Sequence, residues 1–165
     1  MSEVSEAIQD NRWSSERSVM LAWTLPSRDR GRPSVKCLAF GDRIIKLNDY
    51  LLEQAANKHQ PSSFRHRTSQ VPVHLQSVAA LANQLLRSGT SIGANNAEAS
   101  SAISKADFKS KSYIALKEAR ESLYWLELLH RNNYLTDVQF NSLYADAEEL
   151  VKVLTHRCKK LDGVE

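Results

Sequence analysis

The chain has 165 residues, of which 42% are hydrophobic and 25% charged, and its formal net charge is +3. That length supports one domain with a real core, and the composition is that of an ordinary globular protein rather than a fibrous or wholly disordered one. No apolar run approaches the ~20 residues of a membrane span, and no apolar stretch of the signal-peptide kind opens the chain. Two lone cysteines, Cys37 and Cys158, match no metal spacing, so a reducing cytoplasm is the expected home.

Residues 1–36 are polar, with isolated Trp13 and Trp23 and the basic stretch RDRGRP from Arg28 to Pro33. They read as a mostly disordered extension, ahead of a folded region over 37–163. The first helix is expected from about Gly41 to Asn57. Phe40, Ile44, Leu47 and Leu51, spaced 4, 3 and 4, give it one apolar face. Residues 58–71 make the longest loop, with Lys58, Arg65 and Arg67 and no acid. The second helix is expected from Pro72, a favourable first-turn residue, to about Ser100, with Val78, Leu81, Leu85 and Ile92 inward.

Ser104 and Asp107 resemble a capping box and open the third helix, whose inner face is Phe108, Ala115, Ala119, Leu126 and Leu129. Asn132 and Asn133 tolerate the left-handed backbone that ends helices. Thr136 and Gln139 form a second capping box for the fourth helix. Its stripe is Phe140, Leu143, Ala147, Leu150, Leu154, Cys158 and Leu161, with Gly163 as the stop. No β-branched alternation and no hairpin turn signal a strand. Short connections between helices two and three, and three and four, force antiparallel neighbours. The expected fold is therefore all-α, an antiparallel up-down-up-down four-helix bundle.

Polar and tiny residues recur at helical spacing in the second helix. Arg87, Ser91, Asn95 and Glu98 share one face, and Gly89, Gly93 and Ala97 form a second stripe. Glycine inside a helix costs about 0.5–1 kcal/mol relative to alanine. The glycine stripe thus predicts a close approach by another helix, with Ala115, Ala119 and Ser122 as its partner surface. With a turn near residue 102, Arg87 is expected level with Glu118 and within reach of Glu121. The set reads either as an ion pair that fixes helix register, with Ser91 and Asn95 completing its hydrogen bonds, or as a buried ligand site. No nucleophile or base accompanies it, which favours the ion pair.

The segments RSGTSIGANNAEA (Arg87 to Ala99) and ALKEARESLYWLELL (Ala115 to Leu129) resemble the four-helix-bundle proteins encoded in intervening sequences of bacterial 23S rRNA genes. Members typically read R-x-x-x-S-I-x-x-N-I-A-E-G and K-E-x-x-E-T-x-Y-W-L. Here Asn96 stands where Ile is usual and Ala99 where Gly is usual. The resemblance spans residues 38–161. More distantly, the chain is similar to the accessory variability determinant of diversity-generating retroelements. That resemblance implies a pentamer that binds nucleic acid and a reverse transcriptase.

Glu127 and His130 fit the Glu-x-x-His motif of di-iron bundles. Such sites need two copies of the motif and two further glutamates, whereas helix two offers only Glu98. Neither a metal nor a cofactor is therefore expected. Tyr124 and Trp125 could stack on bases, but packing is the commoner use of such a pair. Basic residues remain. Lys105, Lys109 and Lys111 open helix three, and Arg157, Lys159 and Lys160 close helix four. An antiparallel bundle brings both sets to one end, where Arg43 and Lys46 of helix one are also expected. Cations suit the end of helix four, where they complement the helix dipole, but not the first turns of helix three. That mismatch points to an anion-binding surface. With no catalytic residues in view, the expected function is a non-catalytic oligomer that binds nucleic acid with low sequence specificity. The alternative is an adaptor for an acidic protein partner, and an enzyme with a carboxylate metal site has the fewest residues behind it.

Overall fold

The computed structural model describes residues 32–57 and 73–164, so residues 1–31 of the extension expected over 1–36 and the basic loop after Asn57 lie outside the described residues, while residues 33–36 are helical rather than disordered. Four helices account for nearly all of what is described: α1 (Pro33–Asn57), α2 (Val73–Ser100), α3 (Lys105–Arg131) and α4 (Asp137–Asp162). They form the antiparallel bundle expected from the spacing. Neighbours in sequence pack side by side, and α1 meets α4 least closely.

Each helix turns most of its predicted stripe inward, although Phe108 and Leu161 are only half-buried and lie outside the core. Phe40, Ile44, Leu47 and Leu51 of α1 meet Val78, Leu85 and Ile92 of α2, Ala115, Ala119, Leu126 and Leu129 of α3, and Leu143, Ala147, Leu150, Leu154 and Cys158 of α4 in one core. Helix α1 starts at Pro33, two turns before the start expected near Gly41. Proline suits a first helical turn, and the added turns bury Cys37, whose thiol burial pushes up to about 11.

The ends of α3 and α4 are built as expected, with one variation. Ser104 Oγ accepts from the backbone N–H of Asp107, but the Asp107 carboxylate accepts from Ile103, one residue outside the usual box. Thr136 and Gln139 form the complete reciprocal box. Asn133 ends α3 at φ 58° and Gly163 ends α4 at φ 72°, so the left-handed positions fall on an asparagine and a glycine, which tolerate them.

Candidate nucleic-acid interface

The polar stripe of α2 lies one residue round the helix from the face that is buried. The inward residues are Ser88, Gly89, Ile92, Asn96 and Ala99, while Arg87 and Glu98 are exposed and Ser91 and Asn95 half-buried. The expected pairing of Arg87 with Glu118 or Glu121 is not formed. Ser122 Oγ of α3 lies 3.0 Å from Ser88 Oγ, and Lys111 pairs with Glu98. These contacts set position 87 level with about position 123, because the turn is centred near residue 105 rather than 102. Burial and the neighbouring Glu121 hold the Glu118 carboxyl above its ordinary value, and Arg87 offsets this only in part. Asn95 Nδ2 donates to the Ser91 carbonyl of its own helix at 2.9 Å.

The glycine stripe also faces elsewhere than expected. A Cβ on Gly89 would lie 2.9 Å from Ile44 Cγ1 and one on Gly93 3.8 Å from Cys37, so both glycines meet α1, while Ala97 is exposed. Ala115, Ala119 and Ser122 are buried as predicted, but Ser122 meets Ser88 rather than a glycine. Ser88 and Ser122 are tolerated in the core because each hydroxyl is also within reach of a carbonyl of its own helix, Leu85 and Glu118. Ser88 was missed by the sequence reading, since serine at a core position has the same signature as serine on a surface.

At the end of the bundle where α2 gives way to α3, the six predicted cations come together but divide into two groups. Lys109 lies 2.6 Å from Asp162, and Lys111 pairs with Glu98. Lys109 and the Tyr113 hydroxyl together hold the Asp162 carboxyl below its ordinary value. Arg157 donates from Nη1 to Asn96 Oδ1 at 2.8 Å, and its guanidinium lies 5.9 Å from the centre of the Phe108 ring. That bond stitches α4 to α2 and gives the buried Asn96 its partner. Lys105, Lys159 and Lys160 are exposed and make no ion pair among the described residues. Arg43 and Lys46 do not join them. The earlier start of α1 carries both down the bundle, where Arg43 pairs with Asp146 and reaches Ser142 Oγ at 2.8 Å.

Glu127 and His130 sit on the flank between α3 and α4. Glu127 accepts from the Tyr144 hydroxyl at 3.3 Å, and His130 stacks on Phe140 with Nε2 2.8 Å from Asp137. Trp125 packs against the core and donates to Glu121 at 2.9 Å, leaving Tyr124 as the exposed member of the pair. At the opposite end, a cavity of about 320 Å³ is lined by uncharged residues, among them Tyr50, Val78, Tyr134 and Gln139. No described helix is long and apolar enough to cross a membrane.

Fold and surface together define a helical bundle whose polar distinction is one cationic end. The sequence model of the family described as 23S rRNA-intervening sequence protein matches residues 62–156, and the chain belongs to that family. A crystal structure from Bacteroides thetaiotaomicron VPI-5482, described as a protein with unknown function from the S23 ribosomal protein family, is similar at 39% identity and a TM-score of 0.63. The match covers 78% of this chain and 99% of that one. No curated protein matches the chain.

Proposed function

We propose that this chain is a non-catalytic, self-associating cytoplasmic protein that binds nucleic acid with little sequence preference through the cationic end of its bundle. The observation that carries the reading is the set Lys105, Lys159 and Lys160, exposed at one end and without ion pairs among the described residues. The first turns of α3 add the partial positive charge of a helix N-terminus beside Lys105. Phosphates would displace Lys109 and Lys111 from Asp162 and Glu98 only at the cost of those pairs, so these two lysines are secondary contacts. Copies of the end gathered on one oligomer would multiply a modest protomer charge. Two buried, unlinked cysteines fit a reducing compartment.

Fluorescence anisotropy on RNA and DNA oligomers at two salt concentrations tests this. Log affinity should fall linearly with log salt, by about 0.7 per phosphate contact on single strands and 0.9 on B-form DNA. Reversing Lys105, Lys159 and Lys160 to Glu should weaken all sequences together and flatten the slope, because charge without base-edge contacts carries no sequence information. Absence of binding at low salt would shift the reading to an adaptor with an acidic protein partner. One observation favours that second reading: Ile103, 95% exposed, stands beside the lysines and would suit an apolar contact on a protein.

A further inference from the structure

The cationic end carries an apolar feature that its charge does not account for. Ile103, in the turn from α2 to α3, is 95% exposed, more than any other large hydrophobic side chain among the described residues. Val164 is exposed at the same end. It stands seven residues beyond Arg157, as Ile103 stands seven beyond Asn96, the residue that Arg157 holds. The corner that presents Ile103 is fixed by its own hydrogen bonds. The Ser101 and Ala102 N–H groups donate to the Glu98 and Ala99 carbonyls at 3.0 and 3.1 Å, and the Ile103 N–H donates to the Asp107 carboxylate at 3.2 Å. Ser104 then caps α3. An aliphatic group held outward on a pinned backbone is unfavourable in water and has little freedom left to lose on entering a partner.

The surroundings narrow the kind of partner. Of the acids at this end, Glu98 and Asp162 are matched by Lys111 and Lys109, and the Asp107 carboxylate is turned onto the Ile103 N–H. Lys105, Lys159 and Lys160 are left to meet an anion, and Ile103 to meet an apolar interior within it. Proteins that take single strands stack the bases on exposed aromatic rings. Here the aromatic residues of the end, Phe108 and Tyr113, are half-buried, the first beside the Arg157 guanidinium and the second bonded through its hydroxyl to Asp162. Aliphatic side chains act differently on nucleic acid. They enter the minor groove between two base pairs, part the stack and bend the duplex. The minor groove of double-stranded RNA is shallow and lined by 2′-hydroxyls, a poorer entry for an aliphatic group.

We infer that Ile103 is a wedge that enters the base stack of double-stranded DNA, so that the cationic end selects duplex that is easily parted, as at a mismatch, rather than a particular base sequence. Parting a stack costs free energy, and the cost is least where pairing is already broken. Lys105, two residues on and in the first turn of α3, meets the phosphates beside the opened step, where the helix N-terminus adds to its charge. Discrimination then comes from the deformability of the duplex and not from contacts to base edges.

The inference rests on the nucleic-acid reading of this end and names the form of nucleic acid it takes, and the experiment separates the two. Fluorescence anisotropy of the full chain compares a matched DNA duplex, the same duplex with a central mismatch, the single strand and a matched RNA duplex. The mismatched duplex should bind about tenfold tighter than the matched one. The base analogue 2-aminopurine, placed beside the mismatch, should brighten on binding as its stacking is lost. Ile103→Ser should abolish both the preference and the brightening, while Ile103→Leu keeps them. Affinity for the matched duplex and its salt dependence should stay unchanged in Ile103→Ser, because they rest on the lysines. Position 103 is almost fully exposed, so both variants should keep the parent's circular dichroism spectrum.

Equal binding to the matched and mismatched duplexes, or a preference that survives Ile103→Ser, would overturn the wedge and leave binding by charge in place. Tighter binding to the single strand or to the RNA duplex than to the mismatched DNA would overturn it in the same way. No binding to any of the four at low salt would overturn both the wedge and the nucleic-acid reading, and would give Ile103 to a protein partner.

Discussion

Helices α3 and α4 carry at their own ends the residues that start and stop them, whereas α1 and α2 have no acid in the first turn and no base in the last. Helix α3 opens on Ser104 and Asp107 and closes on His130 and Arg131. Helix α4 opens on a full capping box with Asp137 and closes on Lys159, Lys160 and Gly163. The pair α1–α2 is held instead by shape: Gly89 lets Ile44 approach its backbone, and Cys37 lies against Gly93. One half of the bundle is thus specified by local chemistry and the other by its neighbours. Charge also thins out over α2, whose charged residues are Arg87 and Glu98.

The largest test of this contrast is at Gly89. Gly89→Leu must push α1 away from α2, because Ile44 is fully buried and has nowhere to go. The expected loss is about 3 kcal/mol, the upper part of the usual range for overpacking. Gly93→Leu should cost clearly less, since its nearest neighbour lies at ordinary contact distance. Chemical denaturation of the two variants compares them directly, and equal losses would break the claim that shape at one glycine locks this pair.

Cys37 offers a second test on the same side of the molecule. Its folded thiol ionises near 11, against 9.0 without burial. Above pH 9 the unfolded chain therefore releases a proton that the folded chain keeps, and stability falls as pH rises towards 11. The expected fall is about 2–3 kcal/mol, at ~1.4 kcal/mol per tenfold change in proton affinity. Cys37→Ala should flatten this part of the alkaline stability curve measured by denaturation.

The smallest effect belongs to the locally specified half. Thr136→Ala removes a cap whose partner N–H on Gln139 is left to water, for a loss of about 1 kcal/mol. Ser104→Ala should cost no more, because Asp107 continues to hold Ile103. A thermal melt resolves losses of this size. If either cap variant lost as much as Gly89→Leu, local chemistry would outweigh packing and the contrast would be reversed.

The sequence by itself determined the four helices, the caps of the last two, the inward stripes and the gathering of six cations at one end. These follow from period and local hydrogen bonding, which depend only on residues a few positions apart. The motifs in α2 and α3 also pointed to the family, because a run of residue types survives without knowledge of what each one touches. Only the tertiary structure decided how the helices face one another. One residue along a helix is 100° of rotation, so reading Arg87 rather than Ser88 as the inward position exchanged a buried ion pair for a pair of serines. A turn centred near 105 instead of 102 then moved the register of α3 by about six residues. The same dependence on neighbours gave Gly89 to Ile44 rather than to α3, tied Lys109, Lys111 and Arg157 to partners, and left Lys105, Lys159 and Lys160 exposed. Charge is legible in a sequence, but whether a charge is already paired depends on side chains brought together from distant parts of the chain.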